Sequence, residues 1–340
     1  MNPRTQSLIG KTDVAVTRLG FGASTLGNLY RRVDDETARA TATAAWDNGI
    51  RYFDTAPHYG FGLSERRLGD VLREREGYVL STKVGRLLAP CPQAGDKMGF
   101  CSPMPFESVY DYSYDAVMRS FEDSQQRLGL SRIDILYMHD IGRVTHGDRH
   151  EELFAVAMNG GYRAMSELRD QGLVRAIGLG VNEYEVCEQA MAHGDFDCFL
   201  LAGRYTLLEQ EPLESFFPAC SKRGISIVIG GPYNSGILAT GTKSRQALTY
   251  NYESAPRAVV EKARRIEQCC DEYRVALAAA ALQFTLGHPV VASVIPGLGN
   301  PERVAKTIDF AQTPIPGELW QELKRRGLLH ADAPVPEAMP

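Results

Sequence analysis

The chain has 340 residues, with 37 lysines and arginines against 42 aspartates and glutamates and a formal net charge of −5. At about 150 residues per domain, that length fits two ordinary domains or one large α/β barrel. Hydrophobic residues at 44% and charged residues at 23% exclude a disordered or membrane-embedded chain. Mild acidity without lysine or arginine runs argues against a nucleic-acid partner or a membrane surface.

The opening MNPRTQSLIG has no signal-peptide core, and the most apolar stretch, 275–286, is short and interrupted by Gln283 and Thr285. A cytoplasmic protein is therefore expected. Cys91, Cys101, Cys187, Cys198, Cys220, Cys269 and Cys270 are odd in number and lack zinc-type spacing, so they are expected as reduced thiols.

In chain order, β-rich runs fall at 19–21, 51–54, 78–83, 133–138, 176–180, 198–202, 226–229 and 290–295, with helical segments between them. Tyr114, Val117, Met118 and Phe121 stand at i, i+3, i+4 and i+7 and predict a helix that packs this face against the core. Gly49, Gly129, Gly172 and Gly224 precede strands, where left-handed helix ends are expected. Alternating strands and helices imply parallel strands joined by crossovers. Eight such units without a polar linker predict a single (β/α)8 TIM barrel over 1–340, class α/β, with a C-terminal tail at 327–340. The doubly wound alternative wants G-x-G-x-x-G, but Gly20 and Gly22 are followed by Thr25 where the third glycine belongs. Two long stretches, 87–113 and 238–256, read as loops on the catalytic face.

Catalytic groups of such barrels sit at the C-terminal strand ends. Asp54, Lys83 and His139 end the second, third and fourth strands, and Tyr59 follows in the loop after Asp54. Each has a plain structural alternative, as a helix cap, rim charge, core histidine or packing aromatic. Jointly they define a site.

The segment Gly49-Ile-Arg-Tyr-Phe-Asp54-Thr-Ala-Pro-His-Tyr59-Gly60, with Ser81-Thr-Lys83-Val and Asp134-Ile-Leu-Tyr-Met-His139-Asp140, resembles the aldo-keto reductase family. The resemblance covers nearly the whole chain and implies a catalytic tetrad of Asp54, Tyr59, Lys83 and His139. The chemistry is consistent with it: a phenol titrates near ~10, so an ammonium such as Lys83, held by Asp54, is expected to favour the tyrosinate. Tyr59 then serves as acid or base, His139 donates a hydrogen bond, and hydride transfer needs a nicotinamide.

The resemblance also implies a cofactor path along Gly22, Asn182, Tyr205, the turn containing Gly231, Pro232, Asn234, Gly236 and Leu238, and the last-strand segment with Pro296, Gly297, Gly299, Arg303 and Lys306. Two usual contacts are replaced, by Ala202 and Gly230. Gly297 and Leu298 stand where NADP-dependent relatives often carry lysine and serine, so NAD is the expected cofactor, with NADP possible through Arg303. The glycine-rich turn before a helix suits phosphate. The sequences 203–208 and 230–238, with Asp111-Tyr112-Ser113-Tyr114, resemble a branch that oxidises sugars or related cyclic alcohols. The expected reaction is oxidation of an aldose of L-fucose, L-galactose or D-arabinose type to its lactone. Pyridoxal oxidation and general aldehyde reduction are the alternatives, and a redox-sensing accessory subunit is a third. His58, Tyr112 and Arg204 are candidate substrate contacts, the alternative being that Tyr112 or Arg204 braces a loop. No metal is expected, because His146 and His150 flank Gly147 in a polar stretch that reads as a solvated loop.

Overall fold

A computed structural model describes residues 2–92, 95–243 and 247–336. The expected loops 87–113 and 238–256 and the tail 327–340 thus lie partly outside the described residues. Eight parallel strands form one sheet in sequence order: β1 Phe21–Gly22, β2 Tyr52–Asp54, β3 Val79–Val84, β4 Ile135–His139, β5 Ala176–Val181, β6 Cys198–Ala202, β7 Ser226–Gly230 and β8 Val291–Ile295. The ring closes through parallel bridges Leu19 to Val294 and Gly22 to Gly297, with Gly20 N–H donating to the Val294 carbonyl at 2.9 Å. This is the (β/α)8 barrel, and each predicted strand lies within two residues of an observed one.

Side chains alternate across a strand with period two, so one set fills the barrel and the other meets the helices. Tyr52, Val79, Ile135, Tyr137, Ala176, Cys198 and Leu200 belong to the inner cluster, while Phe53, Leu80, Leu136, Ile177 and Phe199 belong to the outer core. Continuing that alternation, Asp54, Ser81, Lys83 and His139 point inward near the C-terminal rim. Thr82 points outward, where its hydroxyl reaches the buried Glu65 at 2.7 Å.

The helix Tyr114–Leu128 buries Val117 and Phe121, with Tyr114 and Met118 half-buried against the same core. Gly49, Gly129, Gly172 and Gly224 all adopt positive φ. Three antiparallel hairpins were not expected. Gln6–Leu8 with Ala15–Thr17 puts Ile9, Val14 and Val16 into the inner cluster. Arg86–Pro90 pairs with Phe106–Tyr110 and Thr249–Tyr250 with Glu253–Ser254, all but Arg86 inside stretches read as loop. Their strands are short or half-exposed and carry little periodic signal.

Candidate active site

Strand register assembles the site. Asp54 lies opposite Ser81 on β3, and His139 lies opposite Gly180 on β5. The Lys83 ammonium donates to Asp54 Oδ2 at 2.7 Å and to the Thr55 carbonyl at 2.8 Å. Ser81 Oγ donates to the other carboxylate oxygen at 2.7 Å. Below it the Tyr52 hydroxyl lies 3.2 Å from Ser81 Oγ and 3.2 Å from the Tyr137 hydroxyl, a buried polar column inside the barrel. Gly180 leaves room for the lysine stem, since a Cβ there would sit 3.3 Å from Lys83 Cε.

Tyr59 is carried by the turn after β2. Lys83 Nζ lies 4.7 Å from the centre of its ring, and the His139 ring stands edge-on to it at 6.1 Å. The expected lowering of the Tyr59 pKa is not found. Burial first, then the charges of Asp54 and Asp140, hold its phenol well above the usual value, and Arg86 opposes them only in part. The main reason is burial, which strips water from the phenolate and disfavours it, and the two carboxylates add to the effect. Burial, Arg86 and Lys83 push His139 well below its usual pKa, so it is a neutral imidazole at neutral pH. Burial, Arg86 and Lys83 also bring His58 down to about 3. Burial raises the Asp54 pKa and lowers that of Lys83, and each is opposed by its partner's charge.

Two groups beside the tetrad carry no distinctive spacing in the sequence. Arg86 forms a buried ion pair with Asp140, and Asp140 Oδ2 lies 3.5 Å from His139 Nε2. The only sequence signal for Asp140 is its adjacency to His139. Among the substrate candidates, His58 Nδ1 bonds Ser108 Oγ at 2.9 Å, and its ring lies 6.1 Å from that of His139. Tyr112 is fully buried, with its hydroxyl 2.9 Å from the His139 carbonyl and 2.9 Å from His146 Nε2. Arg204 Nε donates to the Asn182 carbonyl at 2.7 Å and its Nη1 to Asn251 at 3.0 Å. Tyr112 thus holds a loop from within the core, while Arg204 ties two loops together and keeps part of its side chain at the surface. Among the described residues no group of histidines, cysteines and carboxylates could hold a metal. His150 instead bonds the Ile141 carbonyl at 3.2 Å and Gln189 at 3.1 Å.

Of the expected cofactor residues, Gly22 ends β1, and Asn182, Gly231 and Pro296 follow β5, β7 and β8. Gly22 packs so tightly on β8 that a Cβ would meet the Ile295 carbonyl oxygen at 2.8 Å. Gly297 and Gly299 lead into the helix Pro301–Gln312, where Asn300 caps the Arg303 amide at 2.8 Å. Arg303 and Lys306 are exposed on that helix. After β7, Gly231 and Asn234 take φ values of +55° and +44°, and Asn234 Nδ2 donates to the Gly203 carbonyl at 3.0 Å. Gly236 and Pro232 shape the same turn. Tyr205 and Leu238 are fully buried in the core and present no surface to a ligand, a correction to their expected role. Asn234 Oδ1, the Tyr233 hydroxyl and His139 Nδ1 are buried without hydrogen-bond partners among the described residues. Unpartnered polar atoms of this kind, with Arg303 of the capped helix acting on Tyr233, fit a polar ligand such as a dinucleotide.

No helix among the described residues is long and apolar enough to cross a membrane. The sequence profile of the aldo/keto reductase family matches residues 18–326. The chain is 47% identical over 333 residues to pyridoxal 4-dehydrogenase of Microbacterium luteolum, covering 94% of this chain and 97% of that protein. It is 38% identical to D-threo-aldose 1-dehydrogenase of a Pseudomonas species, covering 96% and 98%. Among solved structures, an aldo-keto reductase of Bacillus halodurans in its holo form matches with a TM-score of 0.73 and 26% identity, covering 97% of this chain and 98% of its own. The chain belongs to the aldo/keto reductase family, and is an oxidoreductase that works with a nicotinamide cofactor on a small-molecule substrate.

Proposed function

We propose that the protein oxidises the hydroxyl-bearing carbon of a cyclic hemiacetal to a lactone, with NAD as hydride acceptor. One chemical observation carries this reading. Pyridoxal and a threo-aldose, the substrates in the names of two similar enzymes, both close on themselves to give a ring carbon bearing a hydroxyl. Oxidising that carbon requires the substrate to lose a hydride and the hydroxyl proton. The nicotinamide supplies the hydride acceptor. Tyr59 takes the proton as its tyrosinate, the form populated at high pH because its pKa is raised, with Lys83 and Asp54 fixing the electrostatics around its ring and neutral His139 offering an N–H to the same oxygen. His58, with Nδ1 committed to Ser108, has Nε2 left for a further substrate hydroxyl.

Within this class the aldose remains the first candidate and pyridoxal the second. A different observation favours aldehyde reduction: Tyr59 is held as a phenol, the form that donates a proton to a carbonyl. The NAD preference is supported by Gly297, which has no side chain, and by Leu298, whose side chain is buried in the core, so neither offers a cation or hydroxyl to a 2′-phosphate. The buried Leu298 makes a serine there a packing defect, which leaves Gly297→Lys as the usable probe. A Cβ at Gly297 meets only Thr25 Cγ2 at 3.4 Å and Ser24 Oγ at 3.7 Å.

The experiment is an initial-rate screen of L-fucose, L-galactose, D-arabinose, other aldoses and pyridoxal with NAD and NADP, alongside simple aldehydes with the reduced cofactors. Lactone formation from an aldose or pyridoxal, faster with NAD, is the expected result. Turnover of simple aldehydes alone would move the function to reduction. Gly297→Lys is expected to raise kcat/KM with NADP, and a native preference for NADP would assign the 2′-phosphate to Arg303.

A further inference from the structure

We infer that Asp140 is a positioning residue that fixes the side-chain amide of Asn182, joining the proton-transfer side of the site to the side that holds the nicotinamide. Its side chain is 8% exposed. Oδ1 accepts from Asn182 Nδ2 at 3.2 Å, while Oδ2 pairs with Arg86 and lies 3.5 Å from His139 Nε2. One carboxylate thus contacts residues that follow or end three different barrel strands.

The fold maintains this arrangement against opposing costs. Asp140 has φ +48°, a left-handed conformation that strains a residue carrying a side chain. Burying an ion pair forfeits hydration as well. Both are held in place locally. The Asp140 N–H donates to the Gly180 carbonyl at 2.9 Å, and the Tyr112 hydroxyl lies 2.9 Å from the His139 carbonyl and 3.0 Å from that of Asp140.

An ionised carboxylate only accepts hydrogen bonds, so Asn182 must turn its NH₂ toward Asp140 and its carbonyl away. Arg204 Nε, 2.7 Å from the Asn182 main-chain carbonyl, fixes the backbone beneath it. The Asn182 side chain then presents an acceptor, the group that matches the N–H of a carboxamide. This step rests on the reading of Asn182 as a nicotinamide contact. In Asp140→Asn the new amide must offer its oxygen to Arg86, which turns its NH₂ against that of Asn182. Two donors then face each other and the orientation is lost.

The test measures binding rather than turnover. Dissociation constants for whichever of NADH and NADPH the wild type binds more tightly are taken by titration calorimetry for the wild type, Asp140→Asn, Asn182→Ala and the double variant, with melting curves alongside. Each single variant is expected to bind about tenfold more weakly, and the double variant no more weakly than Asn182→Ala alone, because the two act through one contact. Wild-type affinity in Asn182→Ala would overturn the reading of Asn182 and the inference with it. Wild-type affinity in Asp140→Asn, with Asn182→Ala impaired, would overturn the role of Asp140 alone, as would losses that add in the double variant. Should Asp140→Asn not melt cooperatively, Asp140→Ala with Arg86→Met removes the ion pair as a unit and carries the same expectations.

Discussion

At Tyr59, local chemistry and tertiary environment pull in opposite directions. A tyrosine near a lysine suggests a lowered pKa, yet the Lys83 ammonium is engaged by Asp54 at 2.7 Å and the Tyr59 ring is buried. Burial and the two nearby carboxylates keep the phenol protonated. Because a raised pKa leaves the basic form populated only at high pH, kcat for oxidation is expected to rise with pH into the alkaline range, and kcat for reduction to fall over the same range. An oxidation rate that levels off near neutrality would contradict this. Tyr59→Phe is expected to lower kcat by about 10²–10⁴-fold while leaving cofactor affinity nearly intact, since it removes the proton-transferring hydroxyl and little volume. A folded variant with wild-type kcat would remove Tyr59 from the mechanism.

Among the elements, the strands are set by alternation and the close contacts by glycine. Gly178 on β5 points into the barrel beside β6, where an added Cβ would lie 1.8 Å from the Cys198 carbonyl oxygen. Backbone cannot yield as a flexible side chain does, so Gly178→Ala is expected to destabilise the fold by about 3 kcal/mol or more. Gly317, the first residue of the helix Gly317–Arg325, has nothing within 4 Å of the same added atom. Gly317→Ala is expected to be neutral or to stabilise by about 0.5–1 kcal/mol. Urea denaturation of the two variants checks both, and equal effects would show that backbone proximity does not govern these positions. Both residues are visible in the sequence as glycines, but only the packing separates them.

For the molecule as a whole, the buried histidines tie stability to pH. His58 and His139 are buried and neutral, with folded-state pKa values below those of the unfolded chain. The unfolded state therefore binds more protons once the pH drops below about 6.5, and the stability these residues contribute is lost as pH falls toward the folded value, about 3 for His58. Each contributes a slope of up to roughly 1.4 kcal/mol per pH unit in that window. Melting temperature is expected to decline from pH 6.5 to 4, and less steeply in His58→Gln. An unchanged slope in that variant would locate the acid sensitivity elsewhere.

The sequence by itself determined the barrel and its strand positions to within two residues, and it picked out Asp54, Tyr59, Lys83 and His139, which the fold brings together. Alternation, helical period and strand-end placement are properties of neighbouring residues and survive without the rest of the fold. The family motifs around Asp54, Lys83 and His139 then located one site. Tertiary structure alone decided that Tyr59 stays a phenol, that Tyr205 and Leu238 sink into the core, that the Tyr112 hydroxyl and Arg204 guanidinium bond to neighbouring loops, and that Asp140 gathers Arg86, His139 and Asn182. The physical reason is common to all four. Burial, charge pairing and the direction of a hydrogen bond depend on groups brought together from different strands, and no pattern along the chain encodes that meeting.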